Sequence, residues 1–226
     1  MAIRNLITVE LHTHTHYSKD CLTRPAQFIL ECRRKGLDRV AVTDHNTTAG
    51  AFKLQAMAPD LIIVGEEIKT DCGEIIAYFL SEEVPPGLPV RQAIARVRDQ
   101  GGIVGVSHPA DRLRREAMGI DRLLPIIDRV DALEVFNARC LYAADNDAAR
   151  AIAAEYGKPG FAGSDAHTLW ELGRASVSME PFDTPQQFLE NLKSAYLNTR
   201  LSPPLVHFAS TWAKWLRRVK LAPRPG

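Results

Sequence analysis

Short runs rich in β-branched residues alternate with helix-like segments along almost the whole of this 226-residue chain, the pattern of parallel β/α units. Leu6 to Leu11 is the first strand candidate. Thr23 and Pro25 open a helix with an apolar face of Phe28, Ile29 and Cys32, and Gly36 stops it. Arg39 to Thr43 follows as a strand, and a helix capped near Thr47 runs to about Met57. Leu61 to Val64 and Ile75 to Leu80 read as strands, and the Pro85, Pro86, Gly87 and Pro89 punctuation as a loop. Val90, Ala93, Ile94 and Val97 keep a helical period that Gly101 and Gly102 end, after which Ile103 to Val106 is a strand. Leu123 to Ile127, Leu133 to Phe136, Ala144 to Tyr156 and Phe161 to Gly163 continue the alternation, and a last helix is expected near Pro185 to Tyr196. A single α/β barrel over residues 1–205 fits this succession.

Composition agrees with one soluble domain, because 46% hydrophobic and 24% charged residues at this length suffice to bury a real core. Met1 to Thr8 is too short and polar for a secretory signal, and no run approaches the roughly 18 apolar residues of a membrane span. A cytoplasmic location without stable membrane insertion is therefore expected. Cys21, Cys32, Cys72 and Cys140 have no C-x-x-C spacing, which points away from a disulfide framework or a thiolate zinc site. The formal charge of +1 is uneven: the last twenty residues hold Lys214, Arg217, Arg218, Lys220 and Arg224 with no acid, leaving 23 bases against 27 acids elsewhere. An acidic body does not suit a dedicated nucleic-acid binder. Residues 206–226 read as a basic amphipathic helix. Its apolar face, formed by Phe208, Trp212, Trp215, Leu216 and Val219, is expected to pack on the barrel or a partner.

Six of the seven histidines sit in the last residues of a predicted strand or just after one. In a parallel barrel these positions converge on one rim. His12 and His14 lie two apart, on one side of a pleat. His45 closes the second strand, Glu66 and Glu67 follow the third, His108 ends Val106-Ser107-His108, and Asp165 and His167 follow Phe161 to Gly163. Imidazoles and carboxylates without thiolates suit catalytic zinc, manganese or iron better than structural zinc. His16 continues the His12 and His14 alternation but is leaving the strand, and His207 stands outside the barrel motifs; neither is expected to ligate.

Five ordered motifs resemble the PHP (polymerase and histidinol phosphatase) family. They are Leu11-His12-Thr13-His14 with Tyr17-Ser18 and Asp20, Thr43-Asp44-His45, Gly65-Glu66-Glu67, Ser107-His108-Pro109, and Gly163-Ser164-Asp165-Ala166-His167. The resemblance implies a distorted seven-stranded, TIM-like β/α barrel holding two or three divalent ions and usually hydrolysing phosphoesters. It also implies that His12, His14, Glu67 and Asp165 hold one metal, that Glu67 bridges to a second held by His108, and that Asp20, His45 and His167 hold a third. Family members often supply further histidines between the Glu67 and His108 positions, whereas this chain has none there. Glu74 stands about where one of those histidines is often found and is a further candidate ligand. Asp44 is expected behind the ligands, orienting His45 or a metal-bound water.

Such a centre would attract a phosphate dianion and activate water for in-line attack. No general acid beyond the ligands stands out. Arg112, Arg114, Arg115, Arg139 and Arg174 follow the strand-end motifs and are candidate substrate anchors, because a guanidinium fork matches phosphate oxygens. With only about forty residues between Glu67 and His108 there is little room for a lid domain. The open mouth that follows suits a small phosphate ester, a nucleotide or the end of a short oligonucleotide. The competing readings are a non-catalytic PHP module that binds a partner and an amidohydrolase-like hydrolase acting at carbonyl carbon.

Overall fold

Nine strands form a single sheet in the order β7-β6-β5-β4-β3-β2-β1-β8-β9 in a computed structural model that describes residues 6–221. The elements are β1 (Ile7–Thr13), α1 (Pro25–Arg34), β2 (Arg39–Val42), α2 (Ala49–Met57), β3 (Ile62–Thr70), β4 (Gly73–Tyr78), α3 (Val90–Asp99), β5 (Ile103–Val106), α4 (Ile120–Leu123), β6 (Ala132–Asn137), α5 (Ala143–Glu155), β7 (Gly160–Gly163), β8 (Ala175–Met179), α6 (Pro185–Leu192), β9 (Tyr196–Thr199) and α7 (Val206–Arg218). A 3-10 turn over Leu124–Arg129 continues α4. The sheet curls into a nearly closed barrel: just past β7, Ala166 pairs with Thr13 of β1, with His14 N–H donating to the Ala166 carbonyl at 2.9 Å.

Nine strands replace the expected seven. The first seven make the barrel wall, and β8 and β9 extend the sheet from the outer edge of β1 as antiparallel strands. The segment around Tyr196, expected to end a helix, is instead β9, and α6 stops at Leu192. The barrel is also not all parallel. Only Asp71 and Cys72 separate the paired residues Thr70 and Gly73, and a two-residue connection cannot make a parallel crossover. β4 therefore runs against both β3 and β5. Glu66 and Glu67, expected beyond a strand, lie inside β3.

Alternate strand residues face two apolar layers. One set, including Val40, Val42, Ile62, Val64, Ile75, Val104 and Leu133, packs under α1, α2, α3 and α5 through Phe28, Leu54, Ile94 and Ala153. The other set, including Val9, Leu11, Ala41, Ile63, Ile76, Tyr78 and Phe161, fills the barrel, where α6 closes one end with Phe188 and Leu192. Tyr78 lies edge-on to both Phe161 and Phe188 with ring centroids 5.9 Å apart, and its hydroxyl donates to the Leu11 carbonyl at 3.0 Å. Fully burying such a side chain contributes about 1.5–3 kcal/mol. The plug of aromatic side chains leaves the opposite rim for polar residues.

α7 lies against that polar rim by its polar side rather than its apolar one. Ser210 and Ala213 are its buried residues, while Phe208, Trp212, Trp215 and Val219 are exposed. The barrel offers this helix charged and carbonyl groups rather than an apolar groove, so its polar side turns inward. Residues 222–226 of the basic tail, Arg224 among them, lie outside the described residues, as do Met1 to Asn5. Among the described residues no cysteine is in a disulfide, and no helix is long and apolar enough to cross a membrane.

Candidate metal centre

β1 delivers His12 and His14 to the rim. The His12 Nδ1 lies 2.9 Å from Glu134 Oε1, so its N–H donates to that carboxylate and its Nε2 lone pair faces Glu67 and Asp165. His14 is oriented through a hydroxyl. Ser18 Oγ donates to Asp44 Oδ1 at 2.6 Å, so it accepts from the His14 Nδ1–H at 3.1 Å and from the His45 backbone N–H at 3.0 Å. Asp44 also accepts from Thr15 N–H and the Thr15 hydroxyl, which places it behind the histidines rather than among the inward-facing donors.

The His14 Nε2 is 3.2 Å from Asp165 Oδ1 and 3.5 Å from Glu67 Oε2, and the His12 Nε2 is 3.4 Å from that same Glu67 oxygen. Glu67 reaches further still, with Oε1 2.9 Å from His108 Nε2 and Oε2 3.0 Å from His45 Nδ1. Glu74 completes this side. Because β4 is reversed, its beginning lies at the rim where neighbouring parallel strands end, and the Glu74 carboxylate stands 3.6 Å from His45 Nδ1 and 3.8 Å from His108 Nε2. Asp20 occupies the other side, 3.5 Å from His45 Nε2 and 3.3 Å from His167 Nε2. His16 is turned away, edge-on to Tyr17.

Backbone strain accompanies this convergence. His108 and Asp165 have φ of 32° and 52°, left-handed conformations that cost a non-glycine residue about 1–3 kcal/mol each. Both follow strand ends, where the abrupt turn aims their side chains at the centre. The His108 N–H is held by Glu134 Oε2 at 2.6 Å, so Glu134 supports two of the histidines at once.

The donor set fits divalent cations. His12 Nε2, His14 Nε2, Asp20 Oδ1, Glu67 Oε2 and Asp165 Oδ1 are buried without a hydrogen-bond partner, an arrangement too costly to leave uncompensated. Four overlapping triads bring their donor atoms within 4.8 Å of one another: His12, Glu67 and His108; His12, His14 and Asp165; His14, His45 and His167; and His45, Glu67 and Glu74. Asp20, Glu67, Glu74 and Asp165 also concentrate negative charge. Burial pushes the Glu74 carboxyl up, the neighbouring Glu67 charge adds to it, and the group reaches about 7. Burial acts the same way on Asp165, but Arg114 and then His12 outweigh it and hold that carboxyl well below its usual range.

A cleft of about 290 Å³ opens above these groups, with Asp20, His45, Glu74, Arg114, Arg139 and Lys214 in its lining. Arg114 Nη1 lies 2.6 Å from Asp165 Oδ2. Arg139 is buried behind His167, with Nη1 2.8 Å from its Nδ1, while Nη2 donates to Ser210 Oγ and the Val206 carbonyl of α7. The remaining three arginines do not reach the cleft. Arg112 pairs with Asp145 at 2.7 Å and lies over Tyr142. Arg115 is exposed and lines a separate groove with Arg122. Arg174 is carried round to the start of β8, where it stacks on Trp170 and donates to the Leu201 carbonyl.

Several groups at the centre have no counterpart in the strand-end pattern. Glu134 is a lone carboxylate in the otherwise apolar Ala132-Leu133-Glu134-Val135-Phe136, and that incongruity was its signal. Glu10, in the similar run Thr8-Val9-Glu10-Leu11, accepts from Ser164 N–H and its hydroxyl and from the Gly173 N–H, tying β1 to the Asp165 loop. Lys214, with Nζ 3.2 Å from Asp20 Oδ2, and half-buried His207 reach the cleft from α7, which the strand pattern does not cover.

Against known families, residues 10–83 match the PHP domain and residues 143–196 match the PHP-associated domain. An uncharacterized protein of Methanocaldococcus jannaschii, MJ0417, is 35% identical over 195 residues, 82% of this chain and 78% of its own length. The chain belongs to the PHP family. A second uncharacterized protein of the same organism, MJ1587, is 34% identical over 57% of this chain. Among solved structures, a two-domain protein of Bacteroides vulgatus containing a predicted PHP-like metal-dependent phosphoesterase aligns at TM-score 0.70 and 19% identity. This PHP chain covers 65% of that protein's length, and 87% of the PHP chain is aligned. PsfC of Pseudomonas syringae aligns at TM-score 0.69 and 18% identity over 94% of this chain and 99% of its own. An amidohydrolase of Chromobacterium violaceum aligns at 0.57 and 16% identity over 90% and 96%. The last three likenesses bear on the fold. PHP membership and the donor cluster together support a metal-dependent hydrolase.

Proposed function

We propose that this PHP chain is a metal-dependent phosphoesterase that hydrolyses a small phosphomonoester or nucleotide. The observation that carries the reading is the set of buried, unpartnered donor atoms of His12, His14, Glu67 and Asp165, facing one another next to a cleft whose lining carries Arg114, Arg139 and Lys214 alongside Asp20 and Glu74. His12, His14, Glu67 and Asp165 would hold one ion, Glu67, His108 and Glu74 a second, and Asp20, His45 and His167 a third, zinc, manganese or iron being the metals such donors favour. Bound there, the ions would supply Lewis acidity toward water and phosphate oxygen.

The protein's own groups divide the remaining work. Glu134 and Ser18 fix the tautomers of His12 and His14, so that no reorientation is needed when ligands bind. Arg114 is anchored on Asp165 and lines the cleft, where it suits an incoming phosphate. Lys214 adds a positive charge beside Asp20. A neutral amide would make little use of these cations, which favours phosphate over the amidohydrolase-like alternative. The intact donor set likewise weighs against a non-catalytic module, because a decayed centre would not retain so many strained and unpartnered ligand atoms.

The test is a substrate screen on metal-stripped protein reconstituted separately with manganese, zinc and iron, covering phosphomonoesters, phosphodiesters, nucleotides and simple amides. Phosphate release that depends on metal is the expected result. Amide turnover without phosphate release would transfer the site to the amidohydrolase class. A protein that binds metal yet turns over neither class would leave the non-catalytic module standing.

A further inference from the structure

α7 is mounted with its polar side toward the barrel. The contacts that hold it are hydrogen bonds and ion pairs: Arg139 to Ser210 Oγ and the Val206 carbonyl, Lys214 to Asp20, and Arg217 to the carbonyls of His16 and Cys21. The opposite face presents Phe208, Trp212, Trp215 and Val219 at 71%, 55%, 47% and 42% exposure. Trp212 and Trp215 stack with ring centroids 4.8 Å apart, and with Phe208 they line an open apolar groove. An amphipathic helix normally gives its apolar side to the core. Here, among the described residues, nothing covers that side.

Charge selects the occupant. From Asn191 to the end, the sequence has no aspartate or glutamate but carries Lys193, Arg200, Lys214, Arg217, Arg218, Lys220 and Arg224. Arg218 and Lys220 are exposed at the end of the aromatic stripe. A second copy of the helix would set like charge against like charge, with no acid on the helix to relieve it. An anionic lipid surface satisfies both features, because tryptophan rings settle at the boundary of hydrocarbon and headgroup while neighbouring bases meet phosphate. At about 20 Å the thirteen-residue helix is shorter than the roughly 30 Å hydrocarbon layer, so it lies on a bilayer and does not span it.

We infer that the outward face of α7 docks this protein peripherally on anionic phospholipid bilayers. Phe208, Trp212 and Trp215 enter the interface, and Arg218 and Lys220 engage the headgroups. The inference stands independently of the substrate, since none of these five side chains belongs to the donor cluster.

The test uses the metal-loaded 226-residue chain in cosedimentation with vesicles of phosphatidylcholine mixed with phosphatidylglycerol, and with vesicles of phosphatidylcholine alone. Binding is expected to the mixed vesicles and to weaken with added salt. Trp212→Ser combined with Trp215→Ser should lower partitioning at least about tenfold, since both lose interfacial burial. Arg218→Glu combined with Lys220→Glu should do the same while leaving every apolar contact in place. The second pair keeps the question open to refutation if the first pair misfolds, which circular dichroism will show. Absence of binding to mixed vesicles overturns the inference, as does equal partitioning of the wild type and the charge-reversal pair. A dimer that the tryptophan pair dissociates, in a protein that ignores vesicles, would assign the face to a second copy. Binding to an oligonucleotide but not to vesicles would equally overturn it.

Discussion

Glu134 shows how one side chain can govern a centre it does not join. Its two oxygens take the His12 Nδ1–H and the His108 N–H, and Asn137 Nδ2 donates to it at 3.0 Å. Glu134→Gln keeps the size but turns a charged acceptor into an amide that can present its N–H₂ to His12, releasing the tautomer. Metal affinity should fall about 10–100-fold, the usual effect of losing a partner behind a ligand. Competition against a calibrated chelator measures this, and an unchanged affinity would sink the role. Glu74 makes a different prediction because it belongs to one group of donors only. Glu74→Ala should lose about one metal equivalent while the ion between His12, His14 and Asp165 stays, read as metal per protein by elemental analysis. Retention of full stoichiometry would show that Glu74 is not a ligand. The strand-end histidines were legible because each motif is local. Glu134 was not, since its partner His12 lies 122 residues away and only barrel closure brings them together.

At the scale of elements, local pattern read strand and helix identity well but not strand direction or pairing. Ile75 to Leu80 has a strand's composition whichever way it runs, and the reversal of β4 rests on a turn of two residues, Asp71 and Cys72. That reversal also gives Glu74 its position. β8 escaped because Ala175-Ser176-Val177-Ser178-Met179 has little apolar weight of its own and is stabilised by pairing with β1 and β9. For α7 the sequence leaves the apolar face to the barrel or a partner, and that face is turned from the barrel, because helix periodicity says which residues share a face and not what that face meets. The close approach of β6, β7 and β1 yields a test of the packing. A methyl group on Gly163, the last residue of β7, would fall on Glu134 Oε1 and the His12 Cβ. Gly163→Ala should therefore destabilise the protein by about 1–3 kcal/mol through overpacking and also weaken metal binding. Thermal unfolding with and without metal separates the two effects, and a variant with wild-type values in both would refute the packing account.

For the molecule as a whole, one end of the barrel is closed by an aromatic plug and the other by charges that need a counter-ion. Asp20, Glu67, Glu74 and Asp165 converge on histidine nitrogens that a cation would join, so metal binding and folding are linked. At free metal one hundred times Kd, a single ion that binds only the native state adds about 2.7 kcal/mol. For a chain of this size that corresponds to a rise in Tm of about 5–10 °C. Chelation should remove it, and readdition of metal should restore it. The same reasoning predicts that Glu67→Gln costs more with metal than without. In metal-free protein burial raises the Glu67 carboxyl, but His12, His45 and His108 outweigh it and hold the group well below its usual range, so the substitution removes a favourable charge and should lower Tm modestly. In metal-loaded protein it removes the group shared by His12, His14, His45 and His108 and should lower Tm toward the metal-free value. A side chain that served only to pack the barrel would shift both states by the same amount, so paired melting curves displaced equally would show Glu67 to be structural.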